Sequence, residues 1–294
     1  MVVNNPWEIL IKREDFKESI RNKGYYAIPW SFQSMLKELG MQVKGRAPQY
    51  LSIDFWSKQS RTLTNNNFYV IRSGRGHSII FDQEQYPAPY VNLKTDNVKE
   101  IQAELPSGFI HLQDAFSRNT LENAALEQLR FLGIYDKIMK ELFGDVEYFV
   151  GPRGNRNSRF DVYFNRKDQS NPQKIFTYEG QEELDYSLWT EDCVLVFEAK
   201  LLYGNNGLDI GWHKLAYPSQ RFQRYSDLKV IPVYYLKRKL MVHVFIFPVL
   251  RFYNAGIILN DRTQFNPTHI FKVELPNRET KWSTPSIEET PQEF

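Results

Sequence analysis

The sequence predicts a mixed α/β protein, and three observations predict it. Apolar, partly β-branched runs of strand length recur at residues 193–197, 230–235 and 240–247. An apolar stripe at helical spacing, Ala124, Ala125, Leu126, Leu129 and Leu132, marks a strong helix over 119–133. From that helix onward the order reads helix, strand, two-stranded hairpin, helix, strand, strand. The first hundred residues mix short helices and strands again. At 294 residues, with 42% hydrophobic and 15% aromatic residues, the chain suits one large or two moderate domains with a substantial core. The division expected is an N-terminal domain over 1–105, a second over 106–275, and a peripheral acidic, Pro-rich tail over 276–294.

The N-terminal elements come first. Residues 13–23 form a short amphipathic helix that ends near Gly24, and residues 30–39 form another that ends at Gly40. Ser31 is placed to cap the second. Strands are expected at 50–55, 68–72 and 77–81. Two helices and a β-ribbon fit a winged-helix-like layout, a common way to enter a DNA groove. Any small α+β domain has the same ingredients. Arg72 and Arg75 flank Gly74 in a basic turn, where the glycines permit close backbone approach to a phosphate. A plain hairpin turn explains them as well. Residues 83–106 carry Pro87, Pro89 and Pro106 with little periodicity and read as the inter-domain connection.

In the second half, Thr120 follows Asn119 as a possible cap of the 119–133 helix, and a further helix spans 135–143. Residues 151–159 hold Arg153, Arg156, Asn157 and Arg159 among small residues, and read as a loop leading into a strand over 160–165. Arginine and asparagine read guanine and adenine edges, and they also contact phosphates without reading sequence. A solvated loop has the same composition. After residue 200 a loop with Gly204, Gly207 and Gly211 leads to a helix over 212–225 that carries Lys214, Gln220, Arg221 and Arg224. Two strands follow around a Lys237-Arg238-Lys239 turn. A right-handed crossover through the 212–225 helix makes the strands on either side of it parallel.

The chemistry concentrates between Glu182 and Lys200. The run 193–197 reads as a buried strand, and 184–189 as a second strand joined to it by a Glu191-Asp192 turn. Alternation puts Glu198 and Lys200 on one face with Val194 and Val196, and Leu195, Phe197 and Ala199 on the other. The hairpin brings Asp185 beside Glu198. Burying these charges unpaired is expensive. Two close carboxylates favour a hard divalent cation, most simply magnesium with several waters retained. A lysine beside them polarises a metal-bound water, as phosphodiester hydrolysis requires. An ordinary salt bridge at the end of a strand is the plainer reading of the same residues.

Formal net charge is only +2, so its distribution matters more than its sum. Residues 12–75 hold twelve Lys/Arg against five Asp/Glu, and 201–253 hold eight against two. Between them, 179–198 has seven acids and no base. An acidic centre between basic flanks suits a metal-dependent enzyme acting on a polyanion. The single cysteine, Cys193, lies in the predicted buried strand, so neither a disulfide framework nor a zinc site is available. The five histidines show no ligand spacing. No signal peptide or membrane-spanning run is evident, and the expectation is a soluble cytoplasmic protein with no membrane partner.

The Asp185, Glu198-Ala199-Lys200 pattern, with twelve residues between Asp185 and Glu198, resembles the PD-(D/E)xK nuclease superfamily. Leu184 stands where the motif's name has proline, which many members lack. The element order matches that superfamily's αβββαβ core, with the 119–133 helix and the 160–165 strand as its first two elements. The chain as a whole looks like a prokaryotic type II restriction endonuclease. Diffuse similarity to one such family with an N-terminal recognition domain covers most of residues 13–250. It includes KGYYAI, NNNFYVIRSGRGHSIIFD, TLENAAL and HKLAYPSQRF.

The resemblance implies that Asp185, Glu198 and the Ala199 carbonyl hold one or two Mg2+ ions (Mn2+ substituting), and that Lys200 orients the attacking water. It implies a further acid from the preceding helix, Glu122 or Glu127, unless these simply face solvent. Such enzymes commonly carry glutamine on the helix after the ExK strand. Here Lys214 stands at the matching position and Gln220 lies further along. Double-stranded DNA as substrate, a homodimer and a cognate DNA methyltransferase complete what is implied. Three other readings stand beside it: a repair or mobile-element nuclease, a non-catalytic DNA-binding protein on a degenerate nuclease fold, and, more distantly, a glycosidase using Asp185 and Glu198.

Overall fold

The computed structural model describes residues 5–40, 51, 53–106, 108–118, 121–201, 208–225 and 227–276. Among these residues eight α-helices and sixteen strands form a mixed α/β structure with four sheets.

The N-terminal part contains α1 (Pro6–Leu10), α2 (Glu14–Lys23), β1 (Tyr25–Ala27), α3 (Phe32–Glu38), α4 (Arg61–Thr64), β2 (Phe68–Arg72) and β3 (Ser78–Asp82). Helix α2 opens with Glu14 and Asp15 and closes with Arg21 and Lys23, matching the helix dipole at both ends. It stops at Gly24, whose φ of 77° suits glycine and whose N–H reaches the Ile20 carbonyl. Ser31 caps α3 as expected, its hydroxyl accepting from the Ser34 N–H. Strand β3 is central in an antiparallel sheet ordered β1-β3-β2. The short β1 is too brief for its alternation to be read from sequence. The strand expected over 50–55 is not formed by its described residues. Leu51 is helical, and the chain turns through a 3-10 segment at Trp56–Lys58. Tyr50 and Ser52 lie outside the described residues.

Residues 83–106, expected as a connection, contribute β4 (Tyr90–Asn92) and β5 (Lys99–Gln102). Both pair with strands more than a hundred residues further along the chain, which no local pattern announces. Helices α5 (Ile110–Arg118), α6 (Glu122–Phe131) and α7 (Ile134–Phe143) follow. The suggested cap residues Asn119 and Thr120 are outside the described residues.

Next come β6 (Phe149–Val150), β7 (Gly154–Phe164), β8 (Gln173–Leu184), β9 (Tyr186–Trp189), β10 (Cys193–Leu201), β11 (Asp209–Gly211) and α8 (Trp212–Ser219). The expected loop at 151–159 is therefore largely strand. Arg156, Asn157 and Arg159 lie on β7, held by antiparallel pairing along β8. Polar residues mask a strand whose outer face meets water. The 212–225 helix is shorter than expected, passing at Gln220 into a 3-10 turn after Pro218. Gly204 and Gly207 are not among the described residues.

The chain closes with β12 (Lys229–Arg238), β13 (Met241–Ile246), β14 (Phe252–Tyr253), β15 (Gly256–Ile258) and β16 (His269–Glu274). Strand β12 runs on to Arg238, leaving Lys239, at φ 54°, in the turn. The tail beyond residue 276 is outside the described residues.

The seven-stranded sheet is ordered β5-β16-β13-β12-β10-β9-β6. Strands β10 and β12 are parallel, as the intervening α8 requires, and β9 is antiparallel to β10. The 160–165 strand, expected as the first strand of this sheet, belongs elsewhere: β7 joins β8, β15 and β14 in a four-stranded sheet. The neighbour of β9 is instead β6. Strand alternation is indifferent to which neighbour accepts the hydrogen bonds, so sequence pattern does not separate these two outcomes.

Val194 and Val196 pack in one apolar cluster, and Cys193, Leu195, Phe197 and Ala199 in another on the opposite side. The first cluster also takes Phe55, Tyr69, Ile71, Ile79 and Phe81 from the N-terminal part, so the two halves of the chain share a core. Burial of each large apolar side chain contributes about 1.5–3 kcal/mol. The strand that ends in Glu198 and Lys200 is anchored on both faces. Among the described residues no helix is long and apolar enough to cross a membrane.

Candidate active site

Strand β8 ends at Leu184 and β9 begins at Tyr186, so Asp185 sits where the chain passes from one sheet to the other. Phe197 pairs with Tyr186, and continuing that register sets Glu198 beside Asp185. The Asp185 carboxylate accepts the Ala199 N–H at 2.7 Å, which fixes it against β10. Both acids are buried. Burial, reinforced by the adjacent Glu198, pushes the Asp185 carboxyl up to about 7.

Lys200 projects from the same face of β10 as Glu198, and its Nζ lies 2.9 Å from Glu198 Oε1. It also meets Glu122 Oε1 at 3.2 Å, donates to the Ala199 carbonyl at 3.0 Å, and lies 4.0 Å from Asp54. Burial opposes the Lys200 charge, but Glu198, Glu122 and Asp54 outweigh it and hold the ammonium well above its usual range. Glu122 itself is raised, chiefly by burial and despite Lys200.

Two further residues complete the cluster. Lys214 on α8 lies 3.2 Å from Asp54 and 3.7 Å from Glu198. Asp54 arrives from the N-terminal part because its carbonyl accepts the Gly211 N–H at 2.7 Å, just before α8. No local sequence pattern announces Asp54. It stands alone in sequence, 160 residues before Lys214, in a stretch with the composition of a strand. Four carboxylates, of Asp54, Glu122, Asp185 and Glu198, thus surround two ammonium groups.

Glu122, Asp185, Glu198, Lys200 and Lys214 line a cleft of about 270 Å³ together with Arg72, Asn155, Gln181, Glu182 and His213. His213 is buried beside Tyr217 and Lys214, and burial, with Lys214 adding, drives its ring down to about 3, so it is neutral there. Glu182 is tied to Arg221 at 3.0 Å and to the Ser158 hydroxyl at 2.9 Å. This buried ion pair clamps α8's end to the β7–β8 hairpin.

The other expected site residues are distributed as follows. Glu127 points away and pairs with Arg153 at 2.8 Å and Arg130 at 3.8 Å. Arg153 is thereby engaged in a surface ion pair and also lies over the Tyr186 ring. Gln220 is buried, donating to the Ala255 carbonyl, which makes it a packing residue. Arg72 lines the cleft, while Arg75 is exposed with its N–H on the Glu179 carbonyl. Gly74 is required by that same docking, since a Cβ would lie 2.5 Å from the Glu179 carbonyl oxygen. Arg156, Asn157 and Arg159 are exposed on β7. Among the described residues no three His, Cys, Asp or Glu side chains are gathered closely enough to hold a metal by themselves.

The fold and cleft define a mixed α/β protein with a buried acid–lysine cluster at a sheet junction. The chain belongs to the family described as "Domain of unknown function (DUF6997)", whose model matches residues 86–257, more than half of it. That span includes Glu122, Asp185, Glu198, Lys200 and Lys214, while Asp54 and Arg72 lie before it. No curated protein and no solved structure matches the chain.

Proposed function

We propose that the chain is a magnesium-dependent endonuclease of double-stranded DNA, of the PD-(D/E)xK type and acting as a type II restriction enzyme. One observation carries this reading: Asp185, Glu198 and Lys200, spaced along the chain as in that superfamily, converge in one cleft, with the Lys200 ammonium on the Ala199 carbonyl. The order β9, β10, α8, β12, with β10 parallel to β12, further supports it.

The donor set fits a hard divalent cation. Four carboxylates face two lysines, leaving two negative charges uncompensated when all are ionised. Burial and then Glu198 raise the Asp185 carboxyl, and a bound cation would offset both. Two carboxylates and a backbone carbonyl are few ligands, which suits magnesium because it keeps several waters. Asp185, Glu198 and the Ala199 carbonyl would hold it. Bound there, the metal would supply charge stabilisation at the scissile phosphate. Lys200 orients the attacking water and screens the phosphate. Glu122 fixes the Lys200 ammonium, and Asp54 does the same for Lys214. Arg72, which lines the same cleft, supplies further positive charge. The same reading brings two copies of the chain to a two-fold-symmetric duplex site, with a methyltransferase protecting that site.

The test is digestion of unmethylated phage-sized duplex DNA with magnesium or manganese, with EDTA and Lys200→Ala as controls. Discrete fragments that vanish in both controls are expected, with Lys200→Ala losing more than about a hundredfold in rate and keeping duplex binding. An inert wild-type protein, or cleavage that survives Lys200→Ala, would remove the proposal.

A further inference from the structure

Resting on that reading, we infer that the β7–β8 hairpin is the base-reading element, a two-stranded ribbon that enters the major groove and recognises adenine beside the cut. Asn155 and Asn157 belong to the 151–159 stretch, whose composition predicts a loop with no fixed relation to Gln181 and Glu183. The pairing of β7 with β8 supplies one. Asn157 stands directly opposite Gln181, and Asn155 opposite Glu183. All four are exposed and lie on the outer face, while Tyr178, Gly180, Glu182 and Leu184 alternate inward. Directly opposed side chains on one sheet face have Cβ atoms about 5 Å apart. Asn157 and Gln181 therefore present two adjacent carboxamides.

The chemistry and dimensions of this face match a duplex groove. The major groove admits a two-stranded β-ribbon, and Asn and Gln pair bidentately with the N6 and N7 edge of adenine. Glu accepts from the cytosine amino group. Two carboxamides about 5 Å apart span one to two base steps of 3.4 Å. The ribbon is continuous with the catalytic cleft. Asn155, Gln181 and Glu183 line it together with Asp185 and Glu198. Gln181 precedes Asp185 by four residues, a strand length of about 13 Å, or roughly four base steps. Bases read by the ribbon thus lie within about four pairs of the scissile phosphate. The buried Arg221–Glu182 pair holds the ribbon's inner face rigid, as a reader requires. Arg153, by contrast, is taken up by Glu127 and is not assigned to reading.

The experiment uses the full chain with magnesium and a duplex library carrying a randomised central segment, with sequencing of the cut ends. Wild type should yield a motif with one or two A·T pairs within about four pairs of the cut. Asn157→Ala and Gln181→Ala should each relax discrimination at one of those pairs by about ten- to a hundredfold. Gln181→Glu, which can only accept, should move the preference at its position from adenine towards cytosine. Thermal melts of each variant confirm that these exposed positions leave folding intact. A wild-type motif that all three variants reproduce overturns the inference, and so does cutting by wild type with no motif. Both of those results leave the nuclease reading standing. Absence of any cutting by wild type removes that reading, and this inference with it.

Discussion

Replacing Asp185 with Asn should make the metal-free protein more stable at neutral and alkaline pH while removing its response to metal. The carboxyl is raised from 3.8 to about 7, mainly by burial and then by Glu198. A raised acid favours the folded state when protonated. Its contribution is therefore fully present below about pH 4 and is lost as pH rises through about 7. A shift of about three pH units corresponds to roughly 4 kcal/mol, all of it lost above pH 7 and less than half of it lost at pH 5. Asparagine has nearly the same shape, retains an oxygen to accept the Ala199 N–H, and never ionises. Urea titrations in EDTA at pH 5 and pH 8 measure the difference. Asp185→Asn should exceed wild type by roughly 2–4 kcal/mol at pH 8, with the gap narrowing by about 2 kcal/mol at pH 5. Added manganese should raise the wild-type midpoint and leave the variant unmoved. A gap that is the same at both pH values would refute the argument, because it would mean that Asp185 does not titrate in the folded protein above its ordinary range.

Further outcomes follow from the same geometry. Glu122→Gln should slow cleavage by about tenfold, about 1.4 kcal/mol in barrier, because Lys200 loses one of its carboxylates. Glu127→Gln should stay within about twofold of wild type, since it serves only a surface ion pair; single-turnover kinetics on a defined duplex separates the two. Asp54→Asn should weaken activity to a similar degree, about tenfold, by releasing Lys214, and a wild-type rate would place Asp54 outside the machinery. Arg221→Ala leaves Glu182 buried without its cation and should cost about 3–5 kcal/mol in stability. That loss should shrink at acid pH, where the raised Glu182 carboxyl takes up a proton, and melting at pH 4 and pH 7 reads both effects.

The hairpin that carries Asp185, Glu198 and Lys200 was legible from the sequence alone. An apolar β-branched run, a short polar turn and a period of two are local properties. They suffice to pair β9 with β10, to separate Val194 and Val196 from Leu195 and Phe197, and to bring Asp185 beside Glu198. The parallel β10–β12 pair was legible for a related reason, since a helix between two strands of one sheet leaves little other topology. Tertiary structure alone decided the remainder. Glu122 and Glu127 are both plausible on the same helix, yet five residues at 100° each set them about 140° apart, and only the docking of α6 selects Glu122. Asp54 and Lys214 are distant in sequence and meet through one backbone hydrogen bond at the start of α8. The sheet to which β7 belongs, and hence the change from loop to ribbon for Asn157, depends on which partner satisfies its backbone N–H and C=O groups. That choice is settled by long-range packing, because the strand's own residues alternate in the same way beside either neighbour.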